Sequence, residues 1–172
     1  MKGVILMCVK ELVIKNFGEN KWEEILHQSE VPRQIFVPMG DVTDEDTMKV
    51  ITTACNVLSL SLNQVIDAFG HHWSTVFAPK MYRLYFTGAK SSKEFLSKMD
   101  SVHVTMTQRM NGAKPPRFKY EWQNDKTVIM TYSSQRGLID IAIACIHGVG
   151  EYYKEKLQVT KMGGDKIKIV FP

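Results

Sequence analysis

The chain has 172 residues, 44% of them hydrophobic and 23% charged, with a net charge of +4. That length and balance suit one soluble domain with a substantial core, and the scattered Lys and Arg residues exclude the dense basic run of a nucleic-acid-binding surface. The opening apolar run is broken at Lys10 and Glu11, and the three cysteines (Cys8, Cys55, Cys145) are odd in number and far apart. A signal peptide, membrane insertion, a disulfide framework and a zinc knuckle are therefore not expected, and a cytoplasmic location is.

The first half carries helical periods. Val4, Ile5, Cys8, Val9, Leu12 and Val13 share helical spacing, and the pattern stops at Asn16-Phe17-Gly18. Lys21 to His27 read as a short second helix, and Val31-Pro32 and Val37-Pro38 as connecting chain. Thr43 or Asp44 caps the next helix, with Met48, Ile51, Ala54, Cys55 and Leu58 expected on its inner face. Ser61 caps another that carries Leu62, Val65, Ile66 and Phe69; Pro79 to Phe86 read as an aromatic-rich turn. Ser91 or Ser92 opens a helix with Phe95, Leu96 and Met99, and Asp100 or Ser101 caps a short one holding His103.

The second half changes period. Phe118, Tyr120 and Trp122 alternate, Asn124-Asp125 turn the chain, and Val128, Met130 and Tyr132 alternate again, which makes a hairpin. A long helix is expected from Leu138 to Lys156, with Ile139, Ile143, Ile146 and Val149 among its apolar positions. Leu157 to Met162, Gly163-Gly164-Asp165 and Ile167 to Phe171 form a second hairpin. The expected fold is α+β. A helical N-terminal subdomain (about 1–60) precedes a C-terminal subdomain (about 61–172) with a four-stranded antiparallel sheet and a long helix, all in one domain over 1–172.

Tyr132-Ser133-Ser134-Gln135-Arg136 holds the chemistry. On an extended strand, alternation points Tyr132, Ser134 and Arg136 the same way, about 6.6 Å apart per step. A phenol, a hydroxyl and a guanidinium fork can clamp carboxylates, Arg by two parallel charge-assisted bonds. The same residues also suit an ordinary polar strand end.

Together with His103 upstream, Met1-Lys2-Gly3-Val4-Ile5, Asp100-Ser101-Val102-His103 and Gly112-Ala113-Lys114-Pro115-Pro116-Arg117, this pattern resembles the haem-nitric oxide/oxygen-binding (H-NOX) family. That family includes the haem domain of soluble guanylate cyclases. The resemblance spans essentially the whole chain and implies a stand-alone bacterial type. It implies ferrous haem b between the subdomains, with His103 as the axial iron ligand and Tyr132, Ser134 and Arg136 on the two propionates. Pro116 and Ile5 would press the porphyrin out of plane; Pro116 also suits a plain helix-to-strand stop. Val102, Val104, Met106 and Met110 would shield the haem face beside His103. The ten methionines suit a core shaped around a flat cofactor.

On the opposite face the resemblance places Ile5, Val9, Trp73, Ile141 and Cys145. Some relatives carry a tyrosine at the Ile141 position, which donates a hydrogen bond to bound oxygen. An aliphatic residue there implies an NO-selective sensor that also takes CO and binds oxygen poorly. It would not be an enzyme, but would signal to a separately encoded histidine kinase or diguanylate cyclase through a weakened Fe–His103 bond. Open alternatives are an oxygen sensor using Trp73 or Tyr85 as donor, a haem enzyme, and a haem-free module binding another dianion. Cys145 is either a reactive thiol or an inert small hydrophobe. His71-His72 are a metal pair, a distal ligand, or partly exposed polar residues; adjacent helical positions make a poor chelate.

Overall fold

The computed structural model describes residues 1–31, 36–108, 110 and 112–172, so Pro32 of the expected connecting segment lies outside the described residues. The chain divides into two compact units, Met1–Phe69 and Gly70–Pro172. The boundary falls inside a helix, later than the one expected near residue 60.

In the first unit, α1 (Val4–Phe17) ends at Gly18, whose φ of +88° suits a residue without a side chain and whose N–H reaches Ile14 O at 3.0 Å. α2 (Glu19–Ser29) follows, and α3 (Asp44–Leu58) starts at Thr43, whose Oγ1 accepts the Asp46 N–H at 2.9 Å. Three acids in the first turn of α3 sit well at the positive end of its dipole. The inner face of α3 differs from the expected one. Thr47, Val50 and Ala54 are buried, while Met48, Ile51, Cys55 and Leu58 are half-buried. Thr47 can go inside because its hydroxyl donates to the Thr43 carbonyl at 2.8 Å. Leu6, Cys8, Trp22, Ile25 and Val50 fill the core of this unit. α4 (Leu62–His72) begins with a capping box: Ser61 N–H meets Gln64 Oε1 at 2.8 Å, and Gln64 N–H meets Ser61 Oγ at 3.2 Å.

In the second unit α4 runs into a π-helical turn, Trp73–Phe77, and then into α5 (Ala78–Met81) and α6 (Arg83–Thr87). The expected turn over Pro79–Phe86 is thus helical. Pro79 stands in the first turn of α5, where its missing N–H is no loss. α7 (Ser92–Ser97) is capped by Ser91 Oγ, and α8 (Met99–Thr107) carries His103. β1 (Arg117–Asn124) and β2 (Thr127–Ser133) form the first hairpin. α9 (Ile139–Tyr152) then leads to β3 (Gln158–Lys161) and β4 (Lys166–Val170). α9 stops before the expected Lys156, because the chain turns back with Lys154 at φ +58° and Glu155 N–H bonds to Gly150 O at 2.8 Å.

The sheet order is β1-β2-β4-β3, every pair antiparallel, so the fold is α+β as expected. Phe118 faces Tyr132, Tyr120 faces Met130, and Met130 faces Ile167 across the strands. This inward face meets Ile139, Ile146 and Val149 of α9 in one apolar cluster. Its centre, Val128, Met130, Ile167 and Ile169, is at most 1% exposed. Lys119, Glu121, Lys166 and Lys168 occupy the exposed, outward face, the alternation expected of a one-sided antiparallel sheet. Among the described residues no helix is long and apolar enough to cross a membrane.

Candidate cofactor site

His103 sits in α8 with its Nδ1 3.0 Å from the carbonyl oxygen of Pro116. A carbonyl only accepts, so Nδ1 carries the proton. Burial holds the ring's pKa below the ordinary imidazole value, with the Pro116 bond and Asp100 pulling the other way. The ring is therefore neutral near pH 7, and its lone pair lies on Nε2. Among the described residues nothing hydrogen-bonds to Nε2. One face of the ring lies against Phe118, 5.6 Å between centroids.

Phe118 links His103 to the clamp. Its ring lies 6.0 Å from that of its cross-strand partner Tyr132. Tyr132 is only 6% exposed, and among the described residues no group pairs with its hydroxyl. The strand alternation expected for Tyr132, Ser134 and Arg136 does not continue past Ser133. Ser134 to Gly137 form a turn, with Gly137 at φ +63°. Ser134 Oγ accepts the Arg136 N–H at 3.2 Å and keeps its own proton for an outside acceptor. Arg136 Nη1 donates to Lys114 O at 2.7 Å, which ties the turn to the segment running into Pro115-Pro116. Ser134 and Arg136 are thus placed by a turn rather than by strand geometry.

Asp100 does not cap α8 as expected; the helix begins at Met99 with no side-chain cap. Its carboxylate turns instead to β1. It accepts Arg117 Nε–H and Nη2–H at 2.8 Å each, and the Phe118 N–H at 2.8 Å. Arg117 holds the Asp100 carboxyl at about 2, well under the usual carboxylate range.

A second group of expected residues gathers where the π turn crosses α9. A Cβ on Gly70 would fall 2.4 Å from that of Ala144, and one on Gly148 2.8 Å from the Gly70 carbonyl oxygen. Only glycine permits so close an approach. Ser74 Oγ–H donates to Cys145 O at 3.0 Å, fixing the register. Ile141 and Cys145 are half-buried on one side of α9. Burial pushes the Cys145 thiol up to about 12, so it stays protonated and inert at neutral pH. Trp73 stacks on Phe77 at 5.6 Å and tilts against Tyr82 at 6.4 Å. Tyr85 lies at the surface of α6. His71 pairs with Glu151 at 2.9 Å, whereas His72 is buried rather than partly exposed. Met106 is half-buried on α8 beside His103, and Ile5 (half-buried) and Val9 (buried) belong to α1 of the first unit.

The donor set fits haem. One neutral imidazole offers a nitrogen with its other nitrogen anchored, as iron ligation requires. A phenol, a hydroxyl and a guanidinium offer donors for propionates. The Pro116 carbonyl and the Asp100–Arg117 pair were not foreseen as parts of this site. Their one sequence signal is Asp100 lying one helical turn before His103, with Arg117 immediately after Pro116.

An oxygen-binding H-NOX domain related to soluble guanylate cyclases superposes with a TM-score of 0.87 at 23% identity, covering 99% of this chain and 95% of that one. An H-NOX protein from S. oneidensis in its Fe(II)NO state also gives 0.87, at 16% identity, covering 100% and 98%. The fold is that of H-NOX domains. The model of the Haem-NO-binding family matches residues 2–161, and the chain belongs to that family. Soluble guanylate cyclase gcy-35 of Caenorhabditis elegans is 24% identical over 170 residues, 94% of this chain and 24% of its own length. Its relative gcy-37 is 27% identical over 146 residues, 82% of this chain and 21% of its own. The chain spans about a quarter of the length of these curated relatives.

Proposed function

We propose that this is a cytoplasmic haem sensor selective for nitric oxide. His103 would hold the iron of ferrous haem b through Nε2, Tyr132, Ser134 and Arg136 would hold the propionates, and Pro116 would press on the ring. The observation that carries this reading is the His103 Nδ1–H bond to the Pro116 carbonyl at 3.0 Å, which leaves Nε2 as the donor atom. When bound, the haem would supply the iron that a diatomic gas binds. Trp73, Ile141 and Cys145 would face that gas.

Selectivity rests on Ile141. Bound oxygen draws negative charge and gains from a buried donor, and a buried alkyl group donates nothing. The Cys145 thiol is a weak donor, and Trp73 is packed between Phe77 and Tyr82. NO would need no such donor from the pocket, and its binding would loosen the hold on His103. A slackened hold on His103 would relax the contact with Pro116 and be read by a histidine kinase or diguanylate cyclase with different affinity for the two states. Catalysis would belong to that partner.

Substituting Ile141→Tyr tests the selectivity. The variant should gain a stable oxygen complex in its visible spectrum while wild type lacks one. Stable oxygen binding by wild type would overturn NO selectivity.

A further inference from the structure

We propose that Asp100 and Arg117 are positioning residues that hold the Pro116 carbonyl against His103 Nδ1 and so set the donor strength of Nε2. This rests on the reading of His103 as the iron ligand.

Polar links join the α7–α8 stretch to the start of β1. At one end, Tyr120 Oη–H donates to Leu96 O at 2.8 Å. In the middle, Asp100 accepts the Arg117 fork and the Phe118 N–H, all at 2.8 Å. At the other end lies the contact of His103 with Pro116 O at 3.0 Å. Asp100 is three residues before His103, so the two side chains leave the same side of α8. Pro116 directly precedes Arg117, so fixing Arg117 and Phe118 fixes the peptide that carries the acceptor carbonyl.

Chemical type matters at both positions. The bidentate pairing uses both carboxylate oxygens and a planar fork, which sets an orientation as well as a distance. The Phe118 N–H stands at the start of an edge strand, and Asp100 is its acceptor. Pro115 and Pro116 stiffen the approach to β1 from the other side, since their φ angles are fixed. Removing the carboxylate frees the first peptides of β1 to shift. The carbonyl then moves off the imidazole N–H, and Nε2 becomes a weaker base. The link runs from Asp100 and Arg117 through the Pro116 carbonyl to His103.

The test uses the full chain loaded with ferrous haem. Resonance Raman gives the iron–imidazole stretch, and NMR of the diamagnetic CO complex gives the His103 Nδ1–H resonance and its exchange rate. Asp100→Ala should lower the stretching frequency, speed Nδ1–H exchange and weaken haem retention about 10- to 100-fold. Arg117→Ala keeps the Phe118 bond to Asp100 and should move each readout the same way by less. Arg117→Lys should not fully restore the wild-type values, because a point charge lacks the fork. If Asp100→Ala does not fold, Arg117→Ala carries the test.

Wild-type stretch and exchange in both alanine variants would overturn the proposal, even with lowered thermal stability. A wild-type chain with no iron–imidazole band would instead overturn the reading of His103. The Nδ1–H signal of the haem-free full chain would then decide the clamp: loss or faster exchange in Asp100→Ala supports it, and no change overturns it.

Discussion

One nitrogen of His103 is committed to the Pro116 carbonyl, and that commitment decides what the other can do. With Nδ1 protonated, Nε2 is the only lone pair the ring can offer, so His103→Gly should abolish haem retention. Free imidazole should restore the Soret band, because the cavity left by the side chain admits the lost ligand. Tyr132 and Arg136 should weaken haem binding when removed without abolishing it. Acid should weaken this region for two reasons of the same sign. The Asp100 carboxyl titrates at about 2 when folded, against an ordinary 3.8, so its contribution is present above pH 4 and disappears as pH falls toward 2. That contribution is up to about 2 kcal/mol. The His103 pKa is lowered by burial, so the unfolded chain takes up a proton first as pH drops through about 6.5, and stability falls there too. Thermal midpoints measured from pH 7 to pH 3 should therefore decline. In Asp100→Asn the part of the decline below pH 4 should flatten from a lower starting value. An unchanged slope in that variant would contradict the assignment.

At the scale of elements, period and capping were the legible signals. The β1–β2 hairpin follows from Phe118-Tyr120-Trp122 against Val128-Met130-Tyr132, a period that only a one-sided strand satisfies. Thr43, Ser61 and Ser91 announced helix starts because their side chains satisfy N–H groups nothing else reaches. What escaped depended on partners distant in the chain. Nothing local says that Asp100 should grip β1 instead of capping α8, or that Thr47 can be buried. The helical character of Pro79–Phe86 was hidden because proline in a first turn resembles a breaker. The strand geometry expected of Tyr132, Ser134 and Arg136 was not legible, since Gly137 turns the chain after Ser133. The crossing of the π turn over α9 was equally hidden, and it is a sharp point of vulnerability. Gly70→Ala would drive a methyl to 2.4 Å from the Ala144 Cβ. Overpacking of this kind costs about 1–3 kcal/mol, and denaturant midpoints should show it. Gly18→Ala, with open space around it, should cost only the strain of its positive φ. Equal stability of Gly70→Ala and wild type would mean that the two segments separate more easily than their packing implies.

For the whole molecule, fold and family specify a haem-binding domain, and the proposed choice of gas rests on a few side chains. The sheet, α9 and the α7–α8 stretch support His103, Tyr132, Ser134 and Arg136 within one compact unit, Gly70–Pro172. In the proposed reading the choice among gases depends on Ile141, whose side chain offers no hydrogen to oxygen. The most direct measurement is the visible spectrum of the purified, reduced full chain under NO, under CO and in air. The account predicts distinct NO and CO complexes and no stable complex in air. A stable oxygen complex would contradict the NO selectivity, and a colourless protein that takes up no added haem would contradict the cofactor site itself.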